Sequence, residues 1–343
     1  MRRQGSAHGP PETVAMFWAH YDDDLVFANP TLLHALESGR HAHSCFITAS
    51  DAGAGMSAYV DGRERGIRAA YDTMRGARGT WSDRPMVLGN GVGVTLTRPD
   101  DDERVSLSFL RLPDGGLRGI GYASTGWQSL AKLVAGELPA LRTLDTGQPI
   151  TVELLRSTVA ELVVAYGATT VITHEPGFAD LPGDDHPDHQ SVGRVVASAV
   201  DAGAIDGGVM QYAVGYTAAL RPANITADVL ARKLQAFASY ARHDPVVARE
   251  EPHEYLLVRG FGEWLQRHYL VTHDELVRLV ADADEVATTA TPHAVPHPDS
   301  ASSVPNALPT HLAPPVRHRA THVRPSGGRR SEHDNPGRTR AEE

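Results

Sequence analysis

Thr13-Val-Ala-Met-Phe-Trp18 runs directly into Ala19-His-Tyr-Asp-Asp-Asp24, so an apolar run of strand length breaks off into a histidine and three successive carboxylates. A short apolar run bounded by polar residues reads as a buried strand. Negative charge at its exit falls on a loop, and in an open α/β sheet ligands bind in the crevice beyond the carboxyl ends of the strands. The stretch therefore bears on the fold and on the site together.

Working outward, residues 42–49 read as a second strand, and 29–39 between the two as a helix with Pro30 near its start and Gly39 at its end. Residues 57–74 read as a longer helix with a dense Arg/Glu surface. Two β-rich runs follow, 85–97 and 105–112, the second ending in the turn Pro113-Asp114-Gly115-Gly116; they form an antiparallel excursion. Residues 152–166, 187–200 and 227–240 have helical period, and 169–174 and 209–216 read as strands. The alternation is that of an α/β fold, Rossmann-like, with a largely parallel sheet and helices on both faces. Residues 1–11 read as a flexible N-terminus and 12–286 as the folded domain. Residues 287–343, rich in Pro, Ala, Thr, Ser, His and Arg without apolar period, read as a disordered tail that cannot bury enough surface to offset ordering.

Composition narrows the function classes. With 343 residues and 41% hydrophobic content the chain can bury a sizeable core. A formal net charge of -10 and no concentrated basic face argue against a nucleic-acid partner. No apolar run approaches the roughly 20 residues of a membrane span, and no signal-peptide pattern opens the chain, which leads to a cytoplasmic expectation. Cys45 is the only cysteine, so a metal here needs histidine and carboxylate ligands.

Those ligand types are what the opening stretch offers. His20 and Asp23 stand three residues apart, a spacing that lets an imidazole and a carboxylate converge on one ion. Both suit Zn²⁺ at about 2.0–2.2 Å, and a catalytic zinc takes three protein ligands with one position open. A second charged knot, Asp184-Asp-His-Pro-Asp-His189, follows the strand at 169–174 and opens a helix, which puts it at the same end of the sheet. One of its histidines can complete a metal shell while the other faces substrate. Either knot by itself also reads as a solvated turn or helix start, where carboxylates suit the dipole. Two such knots at the mouths of buried strands favour a site.

At these residues the sequence resembles the PIG-L/LmbE-type family of zinc-dependent N-acetylglucosaminyl deacetylases, which carries Ala-His-Pro-Asp-Asp-Glu after the first strand and His-x-Asp-His after a later one. The counterparts here are Ala19-His-Tyr-Asp-Asp-Asp24 and His186-Pro-Asp-His189. Thr48-Ala-Ser-Asp-Ala-Gly53 is similar to the family's Thr-x-Gly-Asp-x-Gly loop, and Arg63-Glu64 follows on the next helix. The resemblance covers residues 12–245. It implies zinc held by His20, Asp23 and His189, with Asp22 as the general base that takes a proton from the attacking water. It further implies that His186, oriented by Asp188, stabilises the oxyanion or protonates the leaving amine as a cationic acid. Acetate and a free amine are the expected products, and a small-molecule glycoconjugate the expected partner.

The departures from the pattern set further expectations. Tyr21 replaces Pro, and its ring either packs on a sugar or aglycone or covers the core. Asp24 replaces Glu and is expected to brace the loop, and Ser50 replaces Gly. Asp184 stands where some relatives carry a tyrosine that polarises the carbonyl. Arg63 reads as a contact to a substrate hydroxyl or phosphate, or as a solvated helix residue; Asp51 as a pocket residue or a helix cap. His243-Asp244 reads as a surface loop, and His34, His41, His43 and His174 as structural histidines. His20-Tyr-Asp-Asp-Asp-Leu25 with Asn29-Pro30 is most similar to the family branch acting on glycosylated natural products such as glycopeptide antibiotics. The alternatives are a metal-dependent amidase on another N-acyl substrate and a catalytically silent sugar-binding protein. The presence of Asp22 beside all three ligands speaks against the silent protein.

Overall fold

Along Thr13–Trp18 (β1) the side chains alternate between two cores: Val14, Met16 and Trp18 enter one, Ala15 and Phe17 the other. This is the period of two that a strand imposes, and it makes β1 the middle layer of a three-layer molecule. The structure, a computed structural model, describes residues 12–177 and 185–289. The N-terminus at 1–11, Asp184 and the tail beyond Thr289 lie outside the described residues.

After β1 come α1 (Thr31–Glu37), β2 (His41–Thr48), α2 (Ala58–Arg75), β3 (Trp81–Val87), β4 (Gly93–Pro99) and β5 (Val105–Leu112). Then follow α3 (Leu130–Val134), the short pair β6 (Leu141–Arg142) and β7 (Pro149–Ile150), α4 (Val152–Tyr166), β8 (Thr170–His174) and α5 (Pro187–Asp201). The chain ends its described part with β9 (Met210–Ala213), α6 (Ala227–Ala241), α7 (Phe261–Leu265), β10 (Leu270–Thr272) and α8 (His273–Thr289). One sheet has the order β10-β9-β8-β1-β2-β5-β4-β3. From β9 to β5 the neighbours are parallel, whereas β10, β4 and β3 run antiparallel to theirs. Helices α1, α2 and α6 cover the Trp18 face, and α3, α4 and α5 the Phe17 face. Each fully buried large apolar side chain in these layers contributes about 1.5–3 kcal/mol. The α/β class, the parallel sheet and the antiparallel excursion are as the sequence pattern implies.

Helix limits follow local chemistry. Thr151 caps α4 by accepting from Leu154 N at 3.2 Å, and Gly167, in the left-handed conformation, ends it. The run at 85–97 is not one strand. It contains the turn Gly89-Asn90-Gly91 between β3 and β4, closed by Leu88 N donating to Val92 O at 2.9 Å. The strand expected over 209–216 stops at Ala213, and a 3-10 turn, Tyr216–Leu220, replaces its end. The helix expected over 29–39 is preceded by a π-helical turn, Asp24–Ala28. Helix α8 runs on through Thr289, past the boundary expected at 286. Among the described residues no helix is long and apolar enough to cross a membrane.

His43 gives the fold an acid-sensitive point. It is buried in β2, its Nδ1 lies 2.7 Å from Ser106 Oγ, and its ring stacks on Tyr166 at 4.2 Å. Burial, then the cations of Arg98 and His41, lower its pKa from 6.5 to about 3. The unfolded chain therefore binds a proton between those values that the fold refuses, so this stability is present above pH 6.5 and lost as pH falls toward 3. Urea unfolding across that window is expected to show a shallower pH dependence in His43→Gln than in the wild type, by up to about 1.4 kcal/mol per pH unit. Equal slopes would assign the acid sensitivity elsewhere.

Candidate metal centre and active site

The parallel strands β1, β2, β5 and β8 deliver their C-terminal ends and following loops to one end of the sheet, and the residues of the site come from those strands and loops, from α2 and α5, and from the end of α6. At the exit of β1 the carbonyl of Ala19 accepts from Thr48 Oγ1 at 2.7 Å and from Thr48 N at 3.1 Å, which ties the first loop to β2. Ser50 has φ 51°, a left-handed conformation that costs a non-glycine residue about 1–2 kcal/mol, and its hydroxyl accepts the Tyr21 N–H at 2.9 Å. Asp24 is fully buried and accepts from Ser44 Oγ at 2.9 Å and Tyr71 OH at 2.6 Å, bracing the loop onto β2 and α2. Burial pushes its carboxyl up to about 7.

Within this frame His20, Asp23 and His189 face one another. His20 Nδ1 lies 3.2 Å from His189 Nε2, His189 Nε2 lies 3.2 Å from Asp23 Oδ1, and His20 Nδ1 lies 3.5 Å from Asp23 Oδ2. A tetrahedral ion with ligand bonds of about 2.0–2.2 Å requires donor separations of about 3.3–3.6 Å. The His20 Nδ1 to His189 Nε2 separation is close to that range, and Asp23 meets each of the two imidazoles through a different oxygen. Electrostatics agree. Burial opposes charge on His20, yet Asp23, Asp188 and Asp114 outweigh it and raise its pKa well above 6.5. His189 is raised to about 9 against its burial by Asp23 and Asp185. Asp23, despite burial, is lowered well below the usual carboxylate range by His189, His174 and His20. A field that favours protons on these ring nitrogens favours a metal cation at the same lone pairs.

A second layer orients the three. His174, the last residue of β8, places Nε2 2.9 Å from Asp23 Oδ2 and stacks on the His189 ring at 4.0 Å and 5°. Its pKa is lowered to about 4, by burial first and by His189 next. Gly193 makes the stacking possible, because a Cβ there would stand 2.5 Å from His174 O and hold α5 off β8. His189 Nδ1 lies 2.9 Å from Asp185 Oδ1. Carboxylate partners of this kind fix the tautomer and ring orientation of ligand histidines.

The structure corrects the expected pairing in the second knot. Asp188 does not orient His186: its Oδ2 is 4.0 Å from His186 Nδ1, 3.5 Å from His20 Nε2, and accepts Gly115 N at 2.8 Å. His186 instead caps α5, its Nδ1 accepting the Asp188 N–H at 3.1 Å. That bond puts the proton of a neutral imidazole on Nε2. Burial, with His20 and His189 beside it, pulls His186 well below its ordinary pKa.

Three further expected site residues lie behind the pocket. Tyr21 is fully buried, edge-on to Phe46 and Phe109, with its hydroxyl donating to Glu64 Oε1 at 3.2 Å, so its ring packs in the core. Asp51 does not cap α2. It is buried and accepts from Gly55 N at 3.0 Å and Asp114 N at 2.9 Å, joining the loops after β2 and β5. Arg63 is not solvated on α2 and its donors are turned inward. Nη2 donates to Asp22 Oδ1 at 2.9 Å, Nη1 to Ser50 O at 2.9 Å, and Nε reaches Tyr240 OH at 2.5 Å and Asp244 Oδ2 at 3.1 Å. Asp244 is buried here and not on a surface loop. Burial raises the Asp22 carboxyl, and Arg63 opposes that rise.

Removing the guanidinium in Arg63→Met strands two buried carboxylates. The expected cost is about 3–5 kcal/mol in urea unfolding. The acid limb of kcat/KM is expected to move upward, because the cation that lowers the pKa of Asp22 is gone. A variant with unchanged stability and an unchanged limb would show that Arg63 does not govern Asp22.

In the sequence none of Asp114, His174, Asp185 and Asp244 has a role of its own in the site: Asp114 reads as a turn residue, His174 as structural, Asp185 as part of the second knot and Asp244 as a surface-loop residue. Their common signal is position: three stand on the loops or strand ends following β5 and β8, at the carboxyl end of the sheet, and Asp244 follows α6.

The sequence profile of the GlcNAc-PI de-N-acetylase family, PIG-L, matches residues 15–200. No curated protein matches the sequence. Among solved structures the chain is similar to a deacetylase triple mutant of the teicoplanin biosynthetic pathway, at 13% identity, 73% of this chain and 88% of that one covered, and a TM-score of 0.42. It is similar to N,N'-diacetylchitobiose deacetylase from Pyrococcus horikoshii, at 13% identity, 68% and 71% coverage and a TM-score of 0.40. It is also similar to GalB, the 4-carboxy-2-hydroxymuconate hydratase from Pseudomonas putida, at 13% identity, 85% and 100% coverage and a TM-score of 0.39.

Proposed function

Since the chain belongs to the GlcNAc-PI de-N-acetylase family, we propose that it is a zinc-dependent hydrolase that removes an N-acetyl group from an amino sugar of a small glycoconjugate. The observation that carries this reading is the approach of His20 Nδ1 to His189 Nε2 at 3.2 Å, with one oxygen of Asp23 3.2 Å from His189 Nε2 and the other 3.5 Å from His20 Nδ1, in a buried, cation-attracting field. These three would hold the ion. A bound zinc supplies Lewis acidity toward the amide carbonyl and lowers the pKa of water toward neutrality.

The remaining work belongs to side chains. Asp22 has one oxygen on Arg63 and no hydrogen-bond partner at Oδ2 among the described residues, so Oδ2 is the acceptor for the proton of the attacking water. Its basicity is set by two opposing effects, burial raising and Arg63 lowering. His186 donates from Nε2 to the developing oxyanion, since its Nδ1 is occupied by the Asp188 N–H. The proton held by Asp22 passes to the leaving amine as the C–N bond breaks, giving acetate and the free amino sugar. The motif His20-Tyr-Asp-Asp-Asp-Leu25 with Asn29-Pro30 supports a glycosylated natural product as substrate.

The reading is tested by incubating zinc-reconstituted protein with a panel of N-acetylated amino-sugar conjugates and following acetate release by mass spectrometry. Release from at least one conjugate, abolished by a chelator and restored by zinc, is expected. Release only from N-acyl compounds that carry no sugar would replace the amino-sugar substrate with another amide.

A further inference from the structure

Beside Asp22 and Asp114 two tyrosine rings are set in place with their hydroxyls unused. The loop after β5 carries both Asp114 and Tyr122. A Cβ at Gly53 would stand 2.5 Å from Cγ of the Tyr122 ring, and one at Gly116 3.0 Å from its hydroxyl oxygen, so two glycines of positive φ, 79° and 69°, form the slot that the ring occupies. The main chain is fixed as well. The Tyr122 carbonyl accepts Trp127 N at 2.8 Å and Thr125 N at 3.1 Å, and Ser124 Oγ donates to Gly53 O at 2.5 Å. Tyr59, in the first turn of α2, has its ring 5.7 Å from the guanidinium carbon of Arg63, the residue that holds Asp22. Both tyrosines are partly buried, and neither hydroxyl has a hydrogen-bond partner among the described residues. Burial first, then Asp114, Asp51 and Asp188, push the Tyr122 hydroxyl up to about 12. Burial, opposed by Arg63 and joined by Asp244, Asp22 and Asp114, takes Tyr59 to about 12. Both hydroxyls therefore keep their protons at neutral pH, and both feel the same carboxylates of the site.

We propose that Tyr59 and Tyr122 are specificity-determining residues, each donating to one ring hydroxyl of the substrate, so that the substrate is an amino sugar whose hydroxyls around the acetamide are free. The acetamide itself rests on the deacetylase reading above; the sugar rests on the tyrosines. Asp114 Oδ2 accepts only Ala52 N, at 3.4 Å, among the described residues, and so keeps a lone pair beside them. A ligand group between a tyrosine and such a carboxylate must accept from the first and donate to the second, as a carbohydrate hydroxyl does. Because the slot between Gly53 and Gly116 fixes the Tyr122 ring beforehand, little ordering is needed when the sugar arrives. An N-acyl compound without hydroxyls gives neither tyrosine a partner and is bound less well for that reason.

The test compares the zinc-loaded wild type, Tyr59→Phe and Tyr122→Phe on methyl N-acetylglucosaminide and its monodeoxy analogues, with acetate release followed by mass spectrometry and metal content read on the same samples. Phenylalanine keeps the ring and removes only the donor. Each variant is expected to lose about 10-fold in kcat/KM on the parent glycoside, chiefly through KM, the effect of one neutral hydrogen bond. On the monodeoxy analogue that lacks its partner hydroxyl, each variant is expected to match the wild type. A loss of equal size on every analogue overturns the inference, because the tyrosine then acts only through its loop; so does no loss on the parent. Binding of the product, methyl glucosaminide, read by ligand-observed NMR, separates this inference from the deacetylase reading. Product binding that weakens in both variants of a protein that releases no acetate sustains the tyrosines and overturns the deacetylation. Acetate release with equal product binding and equal kcat/KM in all three proteins does the reverse.

Discussion

Asp22→Asn is expected to keep the ion and the fold while kcat falls by about 10²–10⁴-fold, the usual contribution of a positioned general base. The reasoning starts from what the substitution leaves intact. Asparagine retains an oxygen for Arg63 Nη2, now 2.9 Å from Asp22 Oδ1, so the contacts of Arg63 to Ser50, Tyr240 and Asp244 need not move. The proposed ligands His20, Asp23 and His189 do not include Asp22. What is removed is the acceptor at Oδ2, because an amide nitrogen there cannot take a proton from water. Steady-state kinetics with metal analysis on the same sample checks the outcome, and full turnover in the variant would remove Asp22 as the base.

Asp23→Ala is expected to abolish the tight metal phase, lowering affinity by at least about 100-fold, and to take turnover with it. Asp23 is the one carboxylate that three imidazoles share: Oδ2 is 2.9 Å from His174 Nε2 and 3.5 Å from His20 Nδ1, and Oδ1 is 3.2 Å from His189 Nε2. Its Oδ2 also accepts the His20 N–H at 2.6 Å, so the side chain sets the loop that carries its fellow ligand. Without it His20, His174 and His189 lose the carboxylate they share, and only Asp185 on His189 and Asp188 beside His20 remain. Metal content after dialysis reads the loss, and circular dichroism reports whether the fold survives. Wild-type affinity in a folded Asp23→Ala protein would show that the ion is held elsewhere.

What could be read from the sequence was short-range. The apolar run of β1, its charged exit and the His-Pro-Asp-His knot are each contiguous, and the rule that parallel strands place their exits on one side of a sheet brings them together. What could not be read depends on packing between distant segments. Asp188 stands two residues from His186 in the chain yet pairs with His20, because the cap of α5 turns the imidazole toward the main chain and the carboxylate toward β1. Arg63 and Glu64 look like surface residues on a charged helix. They are buried because Gly62 and Gly66 let α2 approach the chain at His243 and Tyr240, where a Cβ would stand 2.6 Å from either carbonyl oxygen. His174 carries no motif of its own and gains its role from the helix laid across it. The hairpin of β3 and β4 was hidden because Leu88 and Val92 carry the apolar pattern straight through the turn.

The central claim is the location of the ion, and the most direct measurement is an anomalous diffraction map at the zinc edge from crystals of the full chain grown with one equivalent of zinc. The account predicts the dominant peak within bonding distance of His20 Nδ1, Asp23 and His189 Nε2. A dominant peak at any other set of side chains, with none at these three, would contradict it.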